Sequence, residues 1–285
     1  MIVITGATGS IGSELCRLLA ADNTPCRAIY RKESQQPFFD ALELEAVRAD
    51  FDDIDSMRRA MQDCTNLFLL TAPDQRHVER EIVMIRLAVE SGVQHIVKVS
   101  TANTNQSSAL AYARSHAQID HYLRGQPIDW TILRPTGFMQ NFIEYAHPIG
   151  KGILPHMLGD GQISYIDLRD IALVARHVLT QPGHANATYY LTGPAALTVS
   201  DVAAELTAGL GHPVRAVNQS EADTRQALIY AGLDAWYTDA LIEQFRIGAN
   251  GGEIDTTGEV ARLTGRAPRT LRQFVRDYKN QFTNQ

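Results

Sequence analysis

The chain opens on Met1-Ile-Val-Ile-Thr5, an uninterrupted apolar run with the composition of a strand buried on both faces. The run stops at Gly6. From residue 10 to 21 the apolar positions change spacing, and Ile11, Leu15, Leu18 and Leu19 fall on one side of a helix. The alternation then repeats. Short apolar runs at 26–30, 44–49, 66–70, 95–100 and 129–133 predict strands, and helical periodicity at 54–63, 78–91 and 109–124 predicts helices among them. Strand and helix in turn imply a parallel, doubly wound sheet, with the ligand crevice outside the carboxyl ends of its strands.

Beyond Pro135 the rhythm changes. Residues 137–149 read as a short amphipathic helix, 150–165 as irregular glycine-rich chain, 167–179 as a helix and 188–192 as a strand returning to the sheet. From residue 198 the pattern is mostly helical with one strand near 214–217, and Gly248-Ala-Asn-Gly-Gly252 has the composition of a flexible link. The expected fold class is α/β, a Rossmann-type doubly wound parallel sheet with a smaller, mostly helical C-terminal substrate lobe. The expected boundaries are 1–150 for the sheet-bearing core, with 160–195 returning to its sheet, and 196–285 for a substrate-binding or lid lobe.

The first break in the pattern carries the clearest chemistry. In Gly6-Ala-Thr-Gly9-Ser-Ile-Gly12, Gly6 permits a tight turn, Gly9 lets backbone approach a pyrophosphate, and Gly12 lets the helix pack close to the sheet. Thr8, Gly9, Ser10, Ile11 and Gly12 then offer phosphates the free N–H groups and the positive dipole end of a helix. The plain alternative is a glycine-rich turn with no ligand. At the end of the second strand, proteins that prefer NAD place an acid about twenty residues past the glycines to hold the ribose 2′-hydroxyl. This chain has Tyr30, then Arg31 and Lys32, so the expected cofactor is NADP(H), with Arg31 on the 2′-phosphate. Two solvated charges beside Glu33 are the competing explanation. Thr71-Ala72-Pro73, Ser100-Thr101 and Arg134-Pro135 end later strands and are expected to line the crevice, the first two groups against the cofactor.

Composition narrows the function classes. A net charge of −6 and a pI near 5.8 argue against nucleic acid or an anionic membrane as the main partner. No apolar run approaches the roughly 20 residues that cross a bilayer, and a strand beginning at Met1 leaves no room for a cleaved signal peptide. Cys16, Cys26 and Cys64 are scattered and read as small core residues of a reducing, cytoplasmic setting. The histidines show no metal-ligand spacing, so no metal is expected.

The helix 109–124 carries Tyr112, His116 and Asp120 at steps of four, near one stripe. This frame resembles the Tyr-x-x-x-Lys-x-x-x-Glu helix of extended short-chain dehydrogenases, with histidine in place of the lysine. Together with the glycine turn, Leu133-Arg-Pro-Thr-Gly-Phe-Met-Gln-Asn141, Ile166-Asp-Leu-Arg-Asp-Ile-Ala172, Leu191-Thr-Gly-Pro194 and Thr264-Gly-Arg-Ala-Pro268, it resembles the NmrA-like group of atypical short-chain dehydrogenases over nearly the whole chain. The likeness is strongest to the branch of NADPH quinone oxidoreductases, triphenylmethane reductase and azoreductase. It implies hydride transfer from NADPH to a conjugated, electron-poor acceptor, which needs less proton assistance than a ketone and fits a missing lysine.

The resemblance also implies residue roles: His116 orients the nicotinamide sugar or donates a proton, Asn141 bonds substrate or ribose, and Asp50 accepts from the adenine amino group. Tyr112 is a third catalytic candidate, with helix packing as its competing explanation. Phe138, Phe142 and Tyr145 are expected to line a flat substrate, although core packing accounts for most of that run. Asp167 and Asp170 read as a cap and a first-turn acid. A different class stays open, a silent NADP(H)-sensing regulator that acts through a protein partner. The sequence is also compatible with a homodimer.

Overall fold

In the computed structural model of the chain, residues 1–108, 111–251 and 254–283 are described. Ala109, where the helix 109–124 was expected to begin, and Gly252, the end of the expected link, lie outside them. The elements are β1 (Ile2–Ile4), α1 (Ser10–Ala21), β2 (Cys26–Tyr30), α2 (Gln36–Asp40), β3 (Glu45–Arg48), α3 (Ile54–Ala60), β4 (Asn66–Leu69), α4 (His77–Glu90), β5 (His95–Val99), α5 (Ala111–Arg124) and β6 (Asp129–Pro135). They continue as α6 (Ala146–Gly150), β7 (Ile153–His156), β8 (Gln162–Ile163), α7 (Leu168–Thr180), β9 (Ala187–Leu191), β10 (Leu197–Thr198), α8 (Val199–Leu210) and β11 (Arg215–Asn218). The last are α9 (Glu221–Tyr230), α10 (Ala235–Ala249), α11 (Glu259–Thr264), α12 (Leu271–Asp277) and α13 (Lys279–Thr283).

One seven-stranded sheet runs in the order β3-β2-β1-β4-β5-β6-β9. β1 pairs in parallel with both β2 and β4, so that Ile2 stands beside Cys26 on one side and Asn66 on the other. The pairs β2–β3, β4–β5 and β5–β6 are parallel as well. The central strands β1 and β4 are apolar without alternation because both faces are covered, whereas the edge strand β3, Glu45-Ala-Val-Arg48, is exposed at both ends. Val3, Leu67, Ile96 and Ile132 from the strands pack with Met57 and Ala60 of α3, Met84 and Ala88 of α4, and Ile119 and Leu123 of α5.

Contacts divide the chain into two compact units. The first comprises Met1–Ser107, Ala113–Arg134 and Ile171–Tyr189, and the second Ser108–Tyr112, Pro135–Asp170 and Tyr190–Gln285. The second unit has its own core, built on Met139, Ile149, Leu154, Leu206, Phe274 and Phe282. Its helices start where short polar side chains cap them. The Thr198 hydroxyl accepts from the Asp201 amide at 3.1 Å and opens α8, and the Thr270 hydroxyl accepts from the Gln273 amide at 3.2 Å and opens α12.

Two stretches differ from their sequence reading. Residues 137–149 form a 3-10 turn over Met139–Tyr145 followed by the short α6, not one amphipathic helix. Residues 150–165 are not irregular throughout, since β7 pairs in parallel with β11 and β8 pairs antiparallel with β10. Both partners lie far along the chain, so local periodicity carries no trace of them. All three cysteines are buried, and burial pushes their thiols up, Cys16 to about 12 and Cys26 and Cys64 to about 11. Among the described residues no helix is long and apolar enough to cross a membrane.

Candidate functional site

Because the strands of the first unit are parallel, their following loops gather at one edge of the sheet. Those loops hold the glycine turn after β1, Arg31 after β2, Asp50 after β3, Thr71-Ala72-Pro73 after β4 and Ser100-Thr101 after β5. Strand order reverses between β1 and β4, which is the switch point where a crevice opens. Thr5 closes its floor: its hydroxyl donates to the carbonyls of Phe68 and Leu70, each at 3.1 Å, and accepts from the Leu70 amide at 2.9 Å.

The turn itself has the geometry its residues suggest. Gly6 sits at φ +61°, and a Cβ there would come 2.7 Å from the Leu70 carbonyl oxygen. The Gly9 amide donates to the Gly6 carbonyl at 2.9 Å, and Gly9 then precedes the first residue of α1. No side chain caps α1, and its first turn contains no acid. The amides of Ser10, Ile11 and Gly12 therefore face the open end of a helix, where an anion is favoured. Thr8, Gly9 and Ser10 are exposed, and Ile11 and Gly12 are buried beneath them.

At the end of β2, Arg31 and Lys32 are exposed, and their backbone amides both donate to the Gln35 side-chain oxygen at 3.1 and 2.8 Å. Glu33, which blurred the charge reading, is turned to Arg48 at 3.6 Å. Asp50 is half-buried, and one of its oxygens accepts from the Asp52 amide at 3.1 Å. Asp52 is itself clamped by Arg80, whose guanidinium holds that carboxyl below the usual range.

Beneath the loops after β4 and β5 lies a buried charged network that the sequence reading missed. Lys98, the last residue but one of β5, is 0 % exposed; Glu81 on α4 and Asp120 on α5 are 1 % exposed, and His116 is 4 % exposed. The Lys98 Nζ lies 3.4 Å from a Glu81 oxygen, 3.4 Å from an Asp120 oxygen, 3.0 Å from His116 Nδ1 and 3.2 Å from the Val99 carbonyl. The other Asp120 oxygen accepts from Arg134 at 2.9 Å and from the Ser100 hydroxyl at 3.0 Å. The Thr71 hydroxyl donates to Glu81 at 2.9 Å. Two of the crevice loops are thus tied to the network by their hydroxyls. Its one sequence signal was a lysine in the otherwise apolar strand His95-Ile-Val-Lys-Val99.

His116 is held well below its ordinary value of 6.5, first by burial and then by its neighbours Lys98, His77 and Arg134. The sign of the pH effect follows. The unfolded chain takes up this proton before the folded one, so stability is fully present above about 6.5 and is lost as pH falls below it. Burial lowers His95 and His156 in the same direction. We expect the urea midpoint to fall between about pH 7.5 and pH 5.5, and the fall to be smaller in His116→Gln. An unchanged slope in that variant would remove His116 from the account.

The second unit holds the remaining candidates. Tyr112 is half-buried in the first turn of α5. Asn141 is exposed on the 3-10 turn, with its amide donating to the Phe138 carbonyl at 3.2 Å. Phe142 is buried against Tyr165, ring centroids 4.9 Å apart, while Phe138 and Tyr145 are half-buried. Asp167 caps α7 by accepting from the Arg169 amide at 2.9 Å, and Asp170 is buried against Arg269. No group of His, Cys, Asp and Glu able to hold a metal occurs among the described residues.

A parallel sheet with a glycine turn at its switch point, running into an uncapped helix, defines a dinucleotide-binding protein of the Rossmann type. Comparison with known proteins agrees. Residues 6–182 match the NAD(P)H-binding family, and the chain belongs to it. It is 33% identical over 288 residues to an NAD(P)H azoreductase of Xenophilus azovorans, covering 99% of each chain. It is 30% identical to quinone oxidoreductase 2 of Escherichia coli, covering 96% of this chain and 97% of that one. The crystal structure of an NADPH-dependent quinone oxidoreductase from Escherichia coli complexed with NADPH superposes with a TM-score of 0.87 at 28% identity, covering 98% of this chain and 100% of that one.

Proposed function

We propose that the chain is an NADPH-dependent reductase that passes hydride to a quinone-like or azo-type, electron-poor acceptor. The observation that carries this reading is the cation pair at the end of β2. Arg31 and Lys32 stand exposed where an NAD-preferring protein has an acid, and the neighbouring Glu33 is matched by Arg48. The residues present fit NADP(H): Ser10, Ile11 and Gly12 amides for the pyrophosphate, Arg31 for the 2′-phosphate, and the 71–73 and 100–101 loops along the crevice. The bound nicotinamide supplies the hydride. The protein's part is to orient that ring, hold the phosphates and keep water from the reacting atoms. Asn141, Tyr112, Phe138 and Tyr145 are the acceptor residues of this proposal. The named activities of the azoreductase and quinone oxidoreductase relatives support the acceptor class.

The test is NADPH oxidation by the purified protein against a benzoquinone, a naphthoquinone and an azo dye, with NADH in parallel. Saturable turnover favouring NADPH is expected. Tight NADPH binding with no turnover on any acceptor would replace the reductase by a nucleotide sensor. Arg31→Ala should weaken NADPH binding by about 10- to 150-fold, the span of one charge-assisted contact worth about 1.5–3 kcal/mol, and leave NADH binding nearly unchanged. Equal loss of both would remove Arg31 from the 2′-phosphate.

A further inference from the structure

Lys98 does more than balance charge. An ammonium has three hydrogens and no lone pair, so in its 3.0 Å contact with His116 Nδ1 it is Lys98 that donates and Nδ1 that accepts. An imidazole that accepts at Nδ1 is neutral and carries its hydrogen on Nε2. The groups around the ring come from four packed elements. β5 contributes the Lys98 ammonium, α4 contributes His77 and Glu81, α5 contributes Asp120, and β6 contributes Arg134. The cations Lys98 and Arg134 already match the anions Glu81 and Asp120. A proton on Nδ1 would add an unmatched positive charge and turn an N–H against the Lys98 hydrogens.

We infer that Lys98 is a positioning residue that locks His116 as its neutral Nε2–H tautomer, so that His116 acts as a fixed hydrogen-bond donor and not as a titrating acid or base. Its catalytic consequence rests on the reductase reading; the tautomer does not. Under that reading, the proton that accompanies hydride addition to the acceptor comes from water and not from His116. The network then has a purpose beyond stability: it fixes one tautomer of a buried imidazole while its carboxylates grip the loops of Thr71 and Ser100.

The test is nitrogen NMR of the full-length protein labelled at histidine, with and without NADP⁺, alongside the pH dependence of kcat with a quinone. In the wild type, His116 should show an unprotonated Nδ1 and a protonated Nε2 across about pH 5 to 8, and kcat should show no histidine ionisation in that range. Lys98→Met should move the Nδ1 resonance toward the protonated position and give kcat a one-proton limb. Lys98→Met combined with Glu81→Gln removes one charge of each sign and keeps the burial balanced, so it guards against a variant that fails to fold. A wild-type His116 protonated at Nδ1 would overturn the inference even if neither variant folds. So would a double variant that keeps the Nε2–H tautomer and a flat profile. Absence of any wild-type turnover would sink the reductase reading while the NMR result still decides the tautomer.

Discussion

Asp120→Ala is expected to lower the unfolding free energy by about 3–5 kcal/mol, the cost of breaking a buried ion pair by removing one partner. Asp120 is 1 % exposed and meets Lys98, Arg134 and the Ser100 hydroxyl at once. Its removal leaves two buried or nearly buried cations with Glu81 as the nearest anion in the network. Low dielectric around these groups makes the unmatched charge costly, whereas the intact set is close to neutral. Urea unfolding monitored by tryptophan fluorescence gives the number directly. A loss below about 1 kcal/mol, within reach of an exposed pair, would mean that solvent enters the network and that its charges are not held as described. Asp120→Asn, which keeps an oxygen for Ser100, should fall between the two.

Gly12→Val should be the other severe change, and for a steric reason. A Cβ on Gly12 would stand 2.1 Å from the Gly6 carbonyl oxygen, 2.7 Å from the Gly6 carbonyl carbon and 2.9 Å from the Ala7 Cα. All three are backbone atoms, so no side chain can rotate away and α1 has to move off the turn. We expect a stability loss of about 3 kcal/mol, the upper range for overpacking, and loss of NADPH binding. Gly9→Ala is the informative contrast. Its Cβ meets only the Gly6 carbonyl oxygen, at 3.3 Å, so the fold should survive within about 1 kcal/mol. NADPH affinity should drop nonetheless, because the added methyl occupies the exposed side of the turn. Thermal unfolding and NADPH titration of both variants separate the two roles. Gly12→Val with wild-type affinity would disprove the close approach of helix and turn.

The parts of the molecule that were legible in the sequence are those whose cause is local. Residues 1–21 announce a strand, a turn and a helix because an apolar run, a glycine spacing and a helical period follow one another, and Gly9 and Gly12 both answer to the backbone of Gly6. The doubly wound parallel sheet followed from the alternation of short apolar runs and helical periodicity, and the late strand expected at 188–192 returns to the sheet as β9, Ala187–Leu191. The illegible parts have distant causes. β7 and β8 exist because β11 and β10 lie beside them, and their own residues state no preference. Lys98 passed unnoticed in its strand, and its partners Glu81, Asp120 and Arg134 come from three other elements that no periodicity aligns. His116 was singled out as a replacement for a lysine. The structure supplies a lysine from β5 instead, so the imidazole and the amine work as a pair.

The three thiols take on another meaning once the acceptors are considered. Quinones are electrophiles that add readily to thiolates, and a protein that turns them over meets them at every cycle. Only the deprotonated, accessible sulfur reacts. Cys16, Cys26 and Cys64 are enclosed in the interior, with their thiols raised to about 12, 11 and 11. The chain therefore presents no ready thiolate to the compounds it is proposed to consume, and arylation of these sulfurs requires the interior to open first.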